Sequence, residues 1–293
     1  MVVEAGGSYD RDVRTVLGLL LLVTLAACGG GGEDTADVPD GVTFQVEQSR
    51  QDLKGRSFGL QVVNRGDKSL TISRAEITSG RLDEPSVYEG PAVIPPGVTT
   101  NLVVTMAKAR CGTGIDATAR VTYRVGEGDE VTSVVRPKDL YGSVALFMKR
   151  DCAERVVGDL RIADDFTVRG KGRDSVLEVG MTFTPSDEGG PVRVGPVEGT
   201  TLLKPARGTS LDHVLEPGSP AYETELEIVP NRCDVHVVAE DRTGAIMPLH
   251  VESKESGKAF FYLRFTEAQR SQIFDFIADH CGFGKVQDPL LAP

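Results

Sequence analysis

The 293-residue chain contains no tryptophan, only four histidines and no excess of positive charge. Lysine and arginine number 32 against 43 aspartate and glutamate residues, which gives a formal net charge of −11. Nucleic-acid-binding domains carry clustered basic surfaces, so this balance argues against nucleic acid as a partner. The lack of tryptophan excludes the cysteine–tryptophan–cysteine pattern of true immunoglobulin domains. With 40% hydrophobic and 26% charged residues, the chain has an ordinary globular composition, which disfavours disorder or a coiled coil for the whole.

Several enzyme and metal motifs are missing as well. No His-Glu-x-x-His, phosphate-binding loop or Ser-x-x-Lys sequence occurs, and no two cysteines are spaced as Cys-x-x-Cys. Thiol redox chemistry and a close-pair zinc site are therefore disfavoured. We predict no catalytic residue, no cofactor and no metal ligand. Enzymatic activity is left open, because catalytic groups scattered through a sequence leave no local motif.

One long apolar run is present, at residues 16–27, and it ends in Leu25-Ala26-Ala27-Cys28. The run is too short for a bilayer, which needs about 20 residues, and it is typical of the core of a secretory signal. The four residues resemble the lipobox of bacterial lipoproteins. The resemblance implies cleavage before Cys28, a diacylglycerol on its sulfur, and a lipid anchor at the extracytoplasmic face of the cell membrane. A simply secreted protein and an uncleaved anchor are the alternatives.

Residues 1–12 do not fit such a signal, because Glu4, Asp10 and Asp12 outnumber the single basic residue, Arg11. A signal begins with a basic segment, so we hypothesise that translation starts at Val13. Detection of residues 1–12 in the unprocessed precursor would contradict this hypothesis. Beyond the signal peptide of residues 1–27, the stretch 28–41 is glycine-rich and acidic, which predicts a flexible tether.

The four remaining cysteines form an even set, which in an exported protein indicates two disulfides with three alternative pairings. A weak repeat selects among them, because Gly59-Leu60-x-Val62 aligns with Gly180-Met181-x-Phe183, and Arg110-Cys111 with Arg232-Cys233, at offsets of 121–122. Chance alignment of two loop-rich regions is the alternative. If one domain is duplicated, each copy holds its own bridge, which predicts the pairs Cys111–Cys152 and Cys233–Cys281.

Short strands bounded by Gly, Pro, Asn and Asp dominate both copies. We predict them at residues 57–64, 69–77, 99–106, 114–124, 175–184, 191–197, 222–229, 234–240, 245–251 and 259–265. The turn at residues 64–67 is expected to form a hairpin. The chain is therefore predicted to be mainly β, with two tandem immunoglobulin-like β-sandwich domains at residues 42–157 and 158–284 and a tail at 285–293. Another all-β or an α+β module is the strongest competitor.

Each predicted domain ends in a short helix joined by its cysteine to the start of a strand. In the second copy, Thr266 and Gln269 form a capping box, and Gly282 is the expected stop. The first copy has a weaker equivalent before Cys152, in which the apolar residues share one helical face although a glycine interrupts them: Leu140, Val144, Phe147 and Met148, with Gly142.

Polar clusters that could carry chemistry are few. On the strand predicted at 234–240, Asp234, His236 and Glu240 would share one face, where they either bind a divalent metal or form a solvated surface; the second interpretation is favoured. His213 and His250 are isolated, and His280 is expected to act as a cation at the end of a helix. An acidic hairpin tip is expected at Glu127, Asp129 and Glu130.

The function that these features favour is a membrane-anchored extracytoplasmic lipoprotein for binding or envelope assembly. Its partners would be the membrane, through the anchor, and an envelope protein or wall polymer. A cell-envelope hydrolase and a carrier of a metal or small ligand are the alternatives. The residues expected to matter most are Cys28, as lipid carrier, and the four disulfide cysteines.

Overall fold

A computed structural model places residues 35–50, 52–114, 116–187, 189–208, 210–239 and 246–283, and the description is confined to these residues. The chain divides into two compact units, Met1–Asp34 and Thr35–Pro293. The signal peptide, the lipobox with Cys28 and the tail 285–293 all lie outside the described residues. None of the described helices is long and apolar enough to cross a membrane.

The described chain is mainly β, as predicted. In the first half, residues 42–157, the elements are β1 Val42–Glu47, α1 Asp52–Gly55, β2 Ser57–Asn64, β3 Leu70–Thr78, β4 Ser86–Ile94, β5 Thr99–Thr105, β6 Thr118–Val125, β7 Glu130–Val135 and α2 Ser143–Val157. In the second half, residues 158–283, they are β8 Asp159–Ile162, β9 Thr167–Arg169, a 3-10 turn Gly172–Asp174, β10 Val176–Thr184, β11 Val192–Val197, β12 Leu203–Pro205, β13 His213–Leu215, β14 Tyr222–Pro230, α3 Val235–Ala239, β15 Met247–Ser253, β16 Gly257–Leu263 and α4 Glu267–Cys281.

Each half contains two antiparallel sheets with matching strand order. The first half has β1–β2–β5 and β4–β3–β6–β7. The second half has β8–β10–β14, extended by β12 beyond β14 and by β9 beside β10, and β13–β11–β15–β16. Strand β8 therefore takes the place of β1, β10 that of β2, and β16 that of β7. The short strands β9 and β12 have no counterpart among the strands described in the first half.

The apolar faces of the sheets enclose two cores. In the first, alternating residues of β2, such as Leu60 and Val62, meet Leu70 and Ile72 of β3, and all four are buried. The second core is built in the same way from β10, β11, β14 and β15. A strand buries every second side chain, so the alternation seen in the sequence is what aims these residues inward.

Most predicted strands are confirmed within one or two residues, but two predictions are wrong. Asn64–Asp67 does not close a hairpin, because β2 pairs with β1 and β5 whereas β3 pairs with β4 and β6. The turn carries the chain from one sheet to the other. Its buried Asn64 side chain donates to the carbonyls of Lys68 and Ile94 and accepts from the N–H of Gly66. The second error concerns residues 234–240, where Val235–Ala239 is a helix.

The two terminal helices are present. Helix α4 begins at the predicted capping box of Thr266 and Gln269, and it ends at Gly282 in a left-handed conformation. Helix α2 begins later than predicted, because Gly142 precedes the helix and does not lie within it. The helix also continues past Cys152 to Val157. Leu140 lies outside this helix and is exposed, against the prediction.

Helix α2 connects the halves. Its first turns place Val144, Phe147 and Met148 in the first core. Its last turns place Ala153 and Val156 in the second core. The helix therefore belongs to both hydrophobic cores, which ties the two halves together more closely than a loop would.

The end of the predicted tether is bound to the first half. The N–H of Ala36 donates to the carbonyl of Thr132 in β7, and the carbonyl of Ala36 accepts from the hydroxyl of Ser133. The Tyr123 hydroxyl also donates to the carbonyl of Asp37. Residues 36 and 37, near the end of the predicted tether, are therefore hydrogen-bonded to strands β6 and β7.

Candidate functional site

Both predicted disulfides are present: Cys111–Cys152 and Cys233–Cys281, with Cα–Cα distances of 4.7 and 5.3 Å. The first cysteine of each half lies in a loop, between β5 and β6 in the first half and between β14 and β15 in the second. The prediction that it lies at the start of a strand is therefore wrong. The second cysteine lies in the terminal helix. Each bridge therefore holds a helix against its own pair of sheets.

The residue before each helix cysteine is hydrogen-bonded to the residue that precedes β2 in the first half or its counterpart β10 in the second half. In the first half, Asp151 accepts two bonds of 2.8 Å from the Arg56 guanidinium and one of 2.7 Å from the Ala109 N–H. Arg56 is the one described residue other than glycine with a positive φ, 57°. The bonds to Asp151 raise the pKa of Arg56, and its guanidinium also lies over the ring of Phe147.

The second half uses His280 at the equivalent place. Its Nδ1 lies 3.1 Å from both the hydroxyl and the carbonyl of Ser175, the residue before β10. Burial lowers the pKa of His280, although the bond to Ser175 opposes this. The imidazole is therefore buried and hydrogen-bonded to Ser175, and its lowered pKa disfavours the cationic role that was predicted for it at the helix end.

A cavity of about 630 Å³ lies where the two halves meet. Its walls come from α2 and from two outer strands of the second half, β8 and β16. Arg56, between α1 and β2, lines the remaining side. The charged groups among its lining residues are balanced: Arg56, Lys108, Arg155, Arg161 and Arg264 against Asp83, Asp151, Glu154, Asp159 and Asp164.

Several of these charges are already paired. Besides the Arg56–Asp151 pair, Arg155 contacts Asp83 at 2.6 Å and Arg264 contacts Glu154 at 3.4 Å. The Nε of Arg264 is buried and has no hydrogen-bond partner among the described residues. The cavity therefore combines a fixed network of ion pairs with a few polar groups that remain available.

Strand β8 presents an unpaired edge to this cavity. Among the described strands it pairs only with β10, and in an antiparallel strand alternate residues direct their N–H and C=O groups to opposite sides. The Ala163 N–H donates to Gly180 of β10, so Leu160 and Ile162 direct their backbone groups away from β10. Gln269 takes up the carbonyl of Ile162 at 3.4 Å. No described residue bonds the Ile162 N–H or the backbone groups of Leu160 on that side.

The same edge is closed in the first half. There the segment that follows β7 runs parallel to β1 and forms a bridge between Lys138 and Gln45. The Val46 N–H donates to the Lys138 carbonyl at 2.9 Å, and the Lys138 N–H donates to the Phe44 carbonyl at 3.0 Å. The pairing registers make Phe44 and Val46 the counterparts of Leu160 and Ile162.

The metal hypothesis for Asp234, His236 and Glu240 does not survive. Because Val235–Ala239 is helical, Asp234 and His236 do not share one face of a strand. The Asp234 carboxylate caps the turn by accepting from the His236 N–H at 3.0 Å, whereas Glu240 and Asp241 lie outside the described residues. Short helical turns without a clear apolar period are hard to distinguish from strands, which explains the error.

The other histidines serve local contacts. The ring of His213 stacks on Tyr222 with centroids 3.6 Å apart, and His250 lies 2.6 Å from Glu198. Neither they nor His236 and His280 are among the residues that line the cavity. The acidic tip at residues 127–130 forms the turn of the β6–β7 hairpin, as expected.

One acidic cluster escaped the sequence analysis. The pairing of β10 with β14 brings together Glu178, Glu225 and Glu227, whose carboxylates lie within 4.8 Å of one another. Arg169 forms ion pairs with Glu178 and Glu227 and so supplies positive charge at this place. Only Glu225 and Glu227 are neighbours on one strand, so the sequence alone could not reveal the third member.

A serine motif was also missed. Gly55-Arg56-Ser57-Phe58-Gly59 matches the Gly-x-Ser-x-Gly pattern of hydrolase nucleophiles. That chemistry needs a strand, a sharp turn and then a helix, with a histidine near the serine. Here a short helix precedes Ser57 and a strand begins at it. The Ser57 hydroxyl lies 3.5 Å from the carbonyl of Gly55, and no described histidine contacts it.

No protein-family model and no curated protein sequence matches the chain. Among solved structures, it is similar to the red sea bream transglutaminase, with 12% identity, a TM-score of 0.23, and coverage of 78% of this chain but 32% of that chain. It is also similar to CBD12 from CALX1.2, with 15% identity, a TM-score of 0.21, and coverage of 67% of this chain and 73% of that chain. For the Pseudomonas aeruginosa CupB2 chaperone the identity is 15% and the TM-score 0.18, with coverage of 72% of this chain and 93% of that chain. The chain spans about a third of the transglutaminase. TM-scores this low carry no inference about activity or partners.

Proposed function

We propose that this protein is a membrane-anchored extracytoplasmic lipoprotein that works by binding, with two tandem immunoglobulin-like β-sandwiches as its folded body. The observation that carries the proposal is the cavity between the halves, which is lined by an unpaired strand edge and by charges held in ion pairs. Such a site is suited to holding another molecule.

The two-domain interpretation is supported by repeated details. Each half has the strand order of an immunoglobulin-like sandwich and a disulfide that joins the same loop to the terminal helix. In each half, the residue before the helix cysteine is also hydrogen-bonded to the residue that precedes β2 or its counterpart β10. Two unrelated modules would have no reason to share all three. Helix α2 then acts as the joint between the sandwiches.

Binding is favoured over hydrolysis by the state of the carboxylates. Asp151 accepts three hydrogen bonds, and Asp83 and Glu154 each pair with an arginine. The oxygens of these carboxylates are therefore occupied by arginines and a backbone N–H of the protein itself. The hydrolase alternative would instead rest on Asp159 and Asp164, the lining carboxylates that form no ion pair with a described residue.

Anchoring is a separate part of the proposal and rests on the lipobox and on the disulfides. Disulfides persist in oxidising compartments outside the cytoplasm, which agrees with export. The test is metabolic labelling with palmitate in a bacterial host, followed by membrane fractionation of the native chain and of Cys28→Ala. We expect label and membrane association for the native chain only. Membrane retention of an unlabelled Cys28→Ala chain would overturn the anchoring proposal.

A further inference from the structure

The two halves differ in one connection. In the first half seven residues, 136–142, join the last strand β7 to helix α2. In the second half only three residues, 264–266, join β16 to α4. The four additional residues of the first half include Lys138, which supplies both bonds that close the edge of β1. The second half has too few residues in this connection to do the same for β8.

The consequence is an edge that lacks its neighbour. The Leu160 carbonyl and the Ile162 N–H occupy the places of the Phe44 carbonyl and the Val46 N–H, which Lys138 binds in the first half. Both residues line the cavity. Their side chains are only half-buried, although they pack against the second core. Half-covered apolar residues beside unpaired backbone groups are typical of an edge that accepts a further strand.

We propose that the free edge of β8 binds an extended peptide of a partner protein, which adds a short strand parallel to β8. One peptide residue would donate its N–H to the Leu160 carbonyl and accept from the Ile162 N–H, as Lys138 does in the first half. This proposal rests on the proposed binding function and names its partner chemistry.

The cavity also limits the peptide sequence. Side chains alternate between the two faces of a strand, so every second residue would meet Leu160 and Ile162 and should be apolar. The residues between them would face the mouth of the cavity, where Arg161, Lys108 and Asp164 have exposed side chains. Polar residues of either charge suit those positions. Four residues of β8 span about 13 Å, so a segment of about four residues fills the edge.

The test measures binding of a fluorescein-labelled peptide to the full chain. The peptide has the sequence of residues 134–141 with Asp139→Val, Val-Val-Arg-Pro-Lys-Val-Leu-Tyr, so that both neighbours of the lysine are apolar. Fluorescence anisotropy gives the dissociation constant. The matched peptide carries an N-methyl group on its lysine amide, which removes the donor to Leu160. On the protein side, Ile162→Pro removes the outward N–H, whereas Ile162→Val keeps it. Circular dichroism and the melting temperature establish that each variant is folded.

We expect saturable binding to the native chain, at least a tenfold weaker affinity after either Ile162→Pro or N-methylation, and a change below twofold for Ile162→Val. Hydrogen exchange in the complex should show new protection at the Ile162 amide, which keeps the test valid if Ile162→Pro does not fold. No binding up to about 1 mM, equal binding by the N-methylated peptide, or protection confined to another strand would overturn the proposal. The assay does not depend on lipid at Cys28, so its failure and a failure of anchoring are distinguishable.

Discussion

The two halves of the molecule follow one plan and differ at one edge. Each half packs a sheet of the β1–β2–β5 type on one of the β4–β3–β6–β7 type, and each ends in a helix held by a disulfide. In the first half the chain itself closes the outer strand β1, through Lys138. In the second half the equivalent strand β8 borders a cavity.

The comparison shows how a connection that is four residues shorter can leave a strand edge without a neighbour. The cores need the strands and the helix, and both halves keep them. The connection between β7 and α2 contributes little to the core, so its counterpart can lose four residues without loss of the fold. What is lost is one backbone pairing, which leaves a strand edge and space beside it.

The two disulfides are expected to stabilise their halves by nearly the same free energy. They separate cysteines by 41 and 48 residues, and the loop-entropy model assigns about 4 kcal/mol to each. We expect the double variants Cys111→Ser/Cys152→Ser and Cys233→Ser/Cys281→Ser to lose stability by similar amounts, measured by urea unfolding. A loss confined to one pair would break the equivalence of the halves.

The contact before the helix cysteine should matter next. Asp151 has a side chain that is only 6% exposed, so Asp151→Asn should cost about 2 kcal/mol, a value reduced because Arg56 is partly solvated. Asp212 makes a similar two-bond contact with Arg193, but both side chains are more than half exposed. We expect Asp212→Asn to leave the urea midpoint unchanged. Equal losses for the two variants would show that burial is not what gives Asp151 its importance.

Proline substitution separates the closed edge from the open one. Val46→Pro removes the N–H that donates to the Lys138 carbonyl, and it replaces a buried valine side chain with a proline ring. We therefore expect the free energy of unfolding to fall by at least about 2 kcal/mol. Ile162→Pro also shortens a half-buried side chain, but it removes a donor with no partner among the described residues, so its loss should be at least about 1 kcal/mol smaller than that of Val46→Pro. Thermal unfolding of both variants, with Val46→Ala and Ile162→Val as controls, measures the difference. A large loss from Ile162→Pro would mean that the edge is already occupied.

The smallest effect concerns pH. The pKa of His280 is lowered on folding, so the unfolded chain binds the proton more strongly. Stability should be complete above the unfolded value of about 6.5 and should fall as the pH drops below it, by at most about 1.4 kcal/mol per pH unit. His280→Asn should remove this part of the dependence. An unchanged pH profile of the free energy of unfolding would place the imidazole in water.

Much of the fold was predictable from the sequence, because it depends on local signals. Bounding turn residues located strands such as β2 and β14, the Thr266–Gln269 pair located the start of α4, and the repeat selected the correct disulfides. The hairpin expected at Asn64–Asp67 was wrong because a turn sequence does not reveal which sheet its strands join.

The cavity was not predictable in the same way. Its residues come from segments far apart in the chain, such as Arg56, Asp151 and Arg264, and no sequence motif brings these segments together. The open edge depends on something that the second half lacks. No spacing in the sequence marks this difference, because the second copy is longer between its cysteines, 48 residues against 41, and the shorter connection shows only once the strands and helices are placed.

The central claim, that the first half closes its outer strand and the second does not, is tested most directly by hydrogen exchange of two backbone amides in the native chain. The Val46 N–H is bonded to Lys138, whereas the Ile162 N–H faces the cavity. We expect the Ile162 amide to exchange at least about a hundred times faster than the Val46 amide, because it needs no opening of the sheet. Equal protection of the two amides would contradict the account.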